Sequence, residues 1–144
     1  MRIGYLKGKE MKKEEKKIVN FLNIYSNYTI KECQDEYNRF DAYNSISIIE
    51  LKYRNRHYDQ TMIEFDKFSY NHMYSKLVNK SFIYIVRMMD FLYIFDINKL
   101  IEENYNFHFN WRDLPKTTEF FSDKKTKKFV GYIDIEKAVK KLVM

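Results

Sequence analysis

Residues 40–54 read Phe-Asp-Ala-Tyr-Asn-Ser-Ile-Ser-Ile-Ile-Glu-Leu-Lys-Tyr-Arg, and the second half of this stretch predicts a β-strand because it alternates and is rich in β-branched isoleucine. Side chains on a strand point to the same face at every second position, so Glu50 and Lys52 lie on one face. Ile46 and Ile48 precede them on that face. Charged groups rarely occupy an apolar face unless they are paired or bound to a metal. The pattern therefore indicates a hard cation beside a positioned lysine.

The composition describes a folded and moderately basic chain. Its 144 residues are enough for one domain with a real core, and 45% hydrophobic with 18% aromatic residues argue against disorder. Lysine and arginine number 26 against 20 aspartates and glutamates, and the resulting net charge of +6 favours a polyanionic partner such as nucleic acid. Cys33 is the single cysteine, which excludes an internal disulfide and a cysteine-based zinc site.

The N-terminal segment bears on location. Residues 7–17 are charged and no apolar stretch follows them, which predicts neither a signal peptide nor a membrane span. We therefore expect a cytoplasmic protein without membrane contact. The heavy use of Lys, Asn, Ile, Tyr and Phe, whose codons are A/T-rich, suggests a low-GC bacterium or its phage, in which case the host cytoplasm is the location.

Hydrophobic periodicity predicts an alternation of helices and strands along the chain. Helices are expected over residues 10–26 and 62–78, from a cap at Asp96 to residue 104, and from a cap at Asp134 through Ile135, Ala138, Val139 and Leu142. Extended segments are expected at 28–33, 37–42, 45–54, 81–86, 91–95, 106–112, 117–121 and 128–133, with a polar hairpin loop at 122–127. This order predicts a mixed sheet with helices on its faces.

An earlier aspartate joins the charged residues of the 45–54 strand in one pattern. Asp41, Glu50 and Lys52 read D-x8-E-x-K between two predicted helices. The pattern resembles that of the PD-(D/E)XK nuclease superfamily, in particular its phage-type and Holliday-junction-resolvase-like members. Phe40 stands at the position of the family's proline, which many members also lack.

The resemblance implies an α/β fold in which helices flank a mixed β-sheet. Its restriction-endonuclease-like core, in the order α-β-β-β-α-β, would cover about residues 10–96. Residues 97–144 would be an elaboration, a β-hairpin and a helix in the predicted elements. We expect a single nuclease-like domain over residues 1–144.

The resemblance also implies a metal-dependent endonuclease that hydrolyses DNA phosphodiester bonds. In the superfamily the Asp and Glu bind Mg²⁺, the carbonyl between Glu and Lys adds a ligand, and the Lys assists the attacking water. Those roles fall on Asp41, Glu50, Leu51 (through its backbone) and Lys52. Mg²⁺ takes oxygen ligands, Mn²⁺ is its expected substitute, and an ammonium stabilises developing negative charge. The implied partner is DNA, duplex or branched, the implied source is a phage or mobile element, and a homodimer is compatible with both.

Residues outside the pattern could complete the site. Superfamily members often bring a glutamate from the first helix to the metal, and Glu15 is our choice; an exposed position in a lysine-rich face is the alternative. Superfamily members also commonly place a Lys, Gln or Tyr on the helix after the E-x-K strand, and Lys67 and Tyr70, which share a face of the second helix, are the candidates here; surface charge and a core aromatic are the alternatives. Arg54 and Arg56 continue the series of Glu50 and predict a positive strip for the DNA backbone.

Two other classes of protein remain open from the residues alone. A catalytically inactive nucleic-acid-binding or interaction protein could keep the fold, although the complete set of Asp41, Glu50 and Lys52 argues against it. An unrelated basic α/β binding module could carry the pattern by coincidence. In that case Glu50 and Lys52 form a plain salt bridge on an exposed face and Asp41 makes a turn.

Overall fold

The computed structural model describes residues 11–35, 37–115 and 125–144. The helices are α1 (Lys13–Tyr25), α2 (Phe65–Leu77) and α3 (Ile97–Glu102). The strands are β1 (Lys31–Glu32), β2 (Ala42–Tyr43), β3 (Ser47–Arg54), β4 (Gln60–Glu64), β5 (Ser81–Met88), β6 (Phe91–Asp96), β7 (Asn110–Pro115), β8 (Lys125–Asp134) and β9 (Lys140–Val143). None of the helices in the described ranges is long and apolar enough to cross a membrane.

The main sheet has six strands in the order β1-β2-β3-β5-β6-β9. Strands β3 and β5 are parallel, and every other neighbouring pair in this sheet is antiparallel. A parallel pair needs a long crossover connection, which β4 and α2 provide here. The predicted class, a mixed sheet flanked by helices with a restriction-endonuclease-like core, is confirmed.

The two faces of β3 are buried in different clusters. Ile49 and Leu51 pack with Ile18 and Leu22 of α1. Ile48 faces the other way, into a cluster that contains Ile63 of β4 and Phe82 and Tyr84 of β5. Glu50 and Lys52 have the parity of Ile48, so they point to the α2 side of the sheet, as the alternation predicts.

Ile46 does not belong to that buried face, contrary to the sequence-based expectation. It precedes β3 and its side chain is 62% exposed. The cause is a turn in which the Asn44 side-chain oxygen accepts the backbone N–H groups of Ile46 (3.0 Å) and Ser47 (2.8 Å). Asparagine commonly replaces a backbone acceptor in this way, and the strand begins only after the turn.

A second sheet of three strands, in the order β4-β8-β7, lies beside α2. Strand β4 occupies residues 60–64, so the expected start of a helix at Met62 is wrong and α2 begins at Phe65. Residues 125–127 belong to β8, which pairs with β7, so the expected loop at 122–127 is wrong for that part. The predicted strand at 117–121 lies outside the described residues.

The C-terminal helix predicted after Asp134 is wrong. Residues Ile135–Lys137 form a single 3-10 turn, and β9 then pairs antiparallel with β6 at the edge of the main sheet. Leu142 is buried with Leu92, and an edge strand achieves this burial as well as a helix would. The Asp134 side chain makes no capping hydrogen bond to this turn. It accepts a hydrogen bond from the Gln60 side chain at 2.7 Å instead. Asp96 does cap α3, as predicted.

Candidate active site

Asp41 is placed by the pairing of β2 with β3. The register aligns Ala42 with Ile49, so Asp41 lies just before the first paired residue of β2. The Asp41 N–H donates to the Ile49 carbonyl at 2.9 Å, which holds its backbone against β3 one residue out of that register. The negative charge of Asp41 and a hydrogen bond between the two side chains both act on Glu50, so the two carboxyl groups are neighbours.

A backbone amide fixes the direction of the Asp41 side chain. The Leu51 N–H donates to Asp41 Oδ2 at 2.8 Å. The Leu51 side chain itself is buried among the residues that α1 covers. Leu51 therefore packs its side chain on the α1 side of the sheet, while its backbone amide orients the Asp41 carboxylate.

Glu50 is a buried acid beside a second acid. Glu50 is only 2% exposed to solvent. Burial raises the pKa of Glu50 well above 4.5, the negative charge of Asp41 and a hydrogen bond to it raise the pKa further, and Lys67 and Lys52 oppose the shift. Glu50 Oε1 lies 3.6 Å from Lys67 Nζ. Glu50 Oε2 is buried and has no hydrogen-bond partner among the described residues.

Glu15 of α1 lies near the same group of charged side chains. Burial raises its pKa, and the charge of Asp41 adds to the shift, whereas Lys12 and Lys52 lower it. Glu15 is therefore close enough to the site to sense both Asp41 and Lys52. The alternative of a fully solvated glutamate does not hold, because Glu15 is partly buried.

Two lysines of different character complete the cluster. Burial lowers the pKa of Lys52, and the positive charge of Lys67 lowers it further. Burial also acts against the charge of Lys67, but the carboxylates of Glu50 and Glu64 outweigh it and leave the pKa of Lys67 raised. Lys67 is thus the permanent cation that balances Glu50, and Lys52 is the one that more readily exchanges a proton.

The oxygen atoms of this cluster fit a divalent cation with an open coordination sphere. In the described ranges, no three His, Cys, Asp or Glu side chains lie close enough together to hold a metal ion. Mg²⁺ does not need one, since it is commonly held by one or two carboxylates together with waters and substrate phosphate. The unpartnered Oε2 of Glu50 beside Asp41 is a ligand of the required kind.

The cluster opens into a cleft of about 540 Å³ between the two sheets. Charged residues on its walls come from β3, β4, α2 and β8: Glu50, Lys52, Arg54, Glu64, Lys67 and Lys128. Glu64 and Lys128 form an ion pair at 2.8 Å, which lowers the pKa of Glu64 although burial opposes the shift. A cleft with mostly positive walls beside the buried Glu50 can hold a phosphate next to a cation.

Two of the cleft residues, Glu64 and Tyr84, are not among the sequence-based candidates, and the position of Lys128 could not be predicted. Glu64 is missed because its segment forms a strand, whereas the sequence predicts a helix there. Lys128 comes into place only through the pairing of β8 with β4. Tyr84 stands beside Glu50 in the register of β5 with β3, and its hydroxyl donates to the Met62 carbonyl at 2.8 Å. Burial raises the pKa of Tyr84 to about 12, so it remains a neutral donor that ties β4 to the main sheet.

The remaining sequence-based candidates, Arg54, Arg56 and Tyr70, do not lie together in the structure. Arg54 is the last residue of β3 and lines the cleft. Arg56 lies in the bend after β3 and is exposed, so the expected same-face series ends at Arg54. The Tyr70 hydroxyl contacts Asn38 Oδ1 at 3.3 Å and its ring stacks on Tyr74, which places it against the segment before Asp41 and outside the cleft lining.

Comparison with known proteins adds a likeness of fold. No protein-family model matches the sequence, and no curated protein matches it. Among solved structures, the chain is similar to Archaeoglobus fulgidus Hjc, a Holliday junction resolvase from an archaeal hyperthermophile, with a TM-score of 0.53 and 12% sequence identity. The alignment covers 91% of this chain and 89% of that chain. At this identity the likeness establishes the fold, a restriction-endonuclease-like arrangement.

The raised pKa of Glu50 gives a testable pH dependence. The folded state keeps a proton on Glu50 that the unfolded state releases near 4.5, so metal-free stability falls as pH rises above 4.5 and through the raised value. The slope reaches up to about 1.4 kcal/mol per pH unit. In EDTA, thermal unfolding should show this loss in wild type and a flatter profile in Glu50→Gln.

Glu64→Gln is the matched control because the shift of Glu64 has the opposite sign. The stability that Glu64 contributes is present above 4.5 and is lost as pH falls through the lowered value. Glu64→Gln should therefore lose stability mainly at neutral pH. Parallel pH profiles for wild type and Glu50→Gln would contradict the assignment of Glu50 as a buried acid that retains its proton.

Proposed function

We propose that the protein is a Mg²⁺-dependent nuclease that hydrolyses DNA phosphodiester bonds. The observation that carries the proposal is the carboxyl group of buried Glu50 beside that of Asp41, with one oxygen of Glu50 unpartnered among the described residues and Lys52 on the same face of β3. An acid pair of this kind is unfavourable without a cation. A likeness of fold to a protein whose name describes it as a Holliday junction resolvase supports the same conclusion.

Asp41 and Glu50 would hold the ion, with the Leu51 carbonyl as a further oxygen donor and Mn²⁺ as a substitute, and Glu15 would have to move towards the ion to join them. When bound, such an ion polarises the scissile phosphate and supplies a nucleophilic water. The Leu51 N–H keeps the Asp41 carboxylate directed into the site, and the main-chain ladder to Ile49 holds it there. These contacts are made before substrate binds, so the ligand oxygens need little reorganisation.

The two lysines have separate roles in the proposed reaction. Lys52, whose pKa is lowered by burial and by Lys67, orients the attacking water and stabilises negative charge that develops on the phosphate. Lys67 neutralises Glu50 and leaves its ammonium directed towards the cleft. Arg54 and Lys128 extend this positive wall and would contact neighbouring phosphates.

We further propose DNA, duplex or branched, as the substrate, because Hjc is a resolvase of branched DNA by its name. Arg56 and Tyr70 are proposed as more distant contacts to the DNA backbone. The biological setting we propose is an endonuclease of a phage or mobile element that acts in the host cytoplasm. Two copies of the chain would provide two cleavage sites on a branched substrate.

Replacement of Lys52 by alanine tests the catalytic proposal. Wild type should cleave plasmid or four-way-junction DNA with Mg²⁺ or Mn²⁺ and not in EDTA, and Ca²⁺ should support binding better than cleavage. Lys52→Ala should lower the cleavage rate by roughly 10²–10³, because it removes charge stabilisation of the transition state. Binding of the same DNA in Ca²⁺ should stay near wild type.

Lys76→Ala, an exposed lysine at the other end of α2, is the control and should cleave like wild type. Full activity in EDTA would contradict the metal requirement. If wild type and Lys52→Ala bind alike and neither cuts duplex, junction or single-stranded DNA, a non-catalytic nucleic-acid-binding protein replaces the nuclease.

Arginine substitutions near the end of β3 test how DNA is held. Arg54→Ala should weaken DNA binding and reduce the slope of log Kd against log salt by about one unit, because one phosphate contact is lost. Arg56→Ala should have a smaller effect, since Arg56 is exposed and outside the cleft. Fluorescence anisotropy over a salt series measures both. A larger effect of Arg56 than of Arg54 would place the DNA outside the cleft.

A further inference from the structure

One face of the small sheet carries an aromatic cluster that remains partly open to solvent. Trp111 of β7 stands directly opposite Phe129 of β8, and their ring centroids are 5.1 Å apart. Phe65, the first residue of α2, meets Phe129 edge to face at 5.3 Å. Below them Phe109 stacks on Phe129 and continues into the core. We call Trp111, Phe129 and Phe65 the aromatic platform.

Packing alone does not account for the outer part of this platform. Phe107 and Phe68 already fill the space between α2 and the small sheet. Trp111 adds little to that core, because it is 61% exposed, and Phe65 is 38% exposed. Exposed aromatic surface of this size in one patch commonly marks a binding site.

Two lysines border the platform, but its charges are balanced. Lys127 lies on the same face as Trp111, and Asp113 stands directly opposite it in the strand register. Two further carboxylates border the hollow beside the rings, and each is matched: Glu64 by Lys128 at 2.8 Å, and Asp66 by Arg39 at 3.1 Å. The aromatic rings rather than an excess of positive charge therefore characterise this surface, and Lys127 and Lys128 are the cations that a bound phosphate could contact.

The platform is continuous with the proposed active site. A hollow of about 440 Å³ borders the platform and includes Glu64 and Lys128, and these two residues also line the cleft of Glu50 and Lys52. Lys128 points to the opposite face of β8 from Phe129, because neighbouring residues on a strand alternate. A chain that leaves the cleft over Lys128 thus crosses the edge of β8, where β4 has ended, and meets the platform.

We propose that the aromatic platform stacks an unpaired base of the same DNA strand whose phosphates enter the cleft. Base stacking on aromatic side chains tolerates any sequence, and lysines beside the rings hold the backbone. The inference rests on the proposed function and narrows its substrate class to DNA with a single-stranded segment next to the scissile phosphate, such as a flap, gap or open branch. A fully paired duplex offers the platform no base.

Trp111 is the single tryptophan of the chain, so its own fluorescence reports the platform. The probes are a blunt duplex and the same duplex with an oligothymidine tail, both titrated in EDTA to prevent cleavage. The tailed duplex should quench Trp111 and the blunt duplex should not. By anisotropy of labelled DNA, Trp111→Ala should weaken binding of the tailed duplex roughly 5- to 100-fold and leave the blunt duplex unchanged.

Trp111→Phe keeps an aromatic ring and should retain most of the tail-dependent affinity. Tyr25→Ala is the matched control: Tyr25 is 58% exposed and also has a lysine, Lys140, over its ring, but it lies on α1. It should bind both probes like wild type. If Tyr25→Ala lost the tail preference as strongly as Trp111→Ala, the platform would not be the tail-binding site.

These experiments distinguish a failure of the platform proposal from a failure of the nuclease proposal. Unquenched Trp111 together with wild-type affinity of Trp111→Ala for both probes overturns the platform, even if the protein cleaves DNA. Tail-specific quenching in a protein that cuts no DNA supports the platform and overturns the nuclease. Self-association that Trp111→Ala abolishes, without any change in DNA binding, assigns the patch to contact between copies of the chain and also overturns the inference.

Discussion

Two carboxyl groups that lie side by side at the end of an antiparallel strand pair are the constraint on which the site depends. Asp41 and Glu50 are brought together by the pairing of β2 with β3, and a backbone amide at Leu51 directs Asp41 towards its neighbour. Burial of Glu50 makes a second negative charge there unfavourable. Such an arrangement is stable either with a shared proton or with a cation, which is the basis of the proposed metal site.

The surrounding elements supply charge to this pair from several directions. α2 contributes Lys67, β3 itself contributes Lys52 and Arg54, and the small sheet adds Lys128. Tyr84 ties the small sheet to the main sheet by its hydrogen bond to the Met62 carbonyl. The small sheet therefore forms the second wall of the cleft, and it connects the proposed site of phosphate cleavage with the aromatic platform.

The sequence predicts the local part of this arrangement. Alternation in β3 is enough to place Glu50 and Lys52 on one face with Ile48. The family resemblance, together with the spacing of the second helix, is enough to propose Lys67. Contacts between distant strands leave no such local signal: Glu64 meets Lys128 only because β4 pairs with β8. The last strand is mispredicted for a related reason. Short apolar segments such as the one around Leu142 fit a helix or a strand, and pairing with β6 decides between them.

A crystal structure of the protein soaked with Mn²⁺ is the most direct measurement of the central claim. Anomalous scattering should reveal one ion that carboxylate oxygens of both Asp41 and Glu50 contact, with the Leu51 carbonyl as a further ligand and Lys52 beside the site. The same peak should be absent from Glu50→Gln crystals. A soaked structure with no ion between Asp41 and Glu50, or with the ion bound elsewhere, would contradict the account.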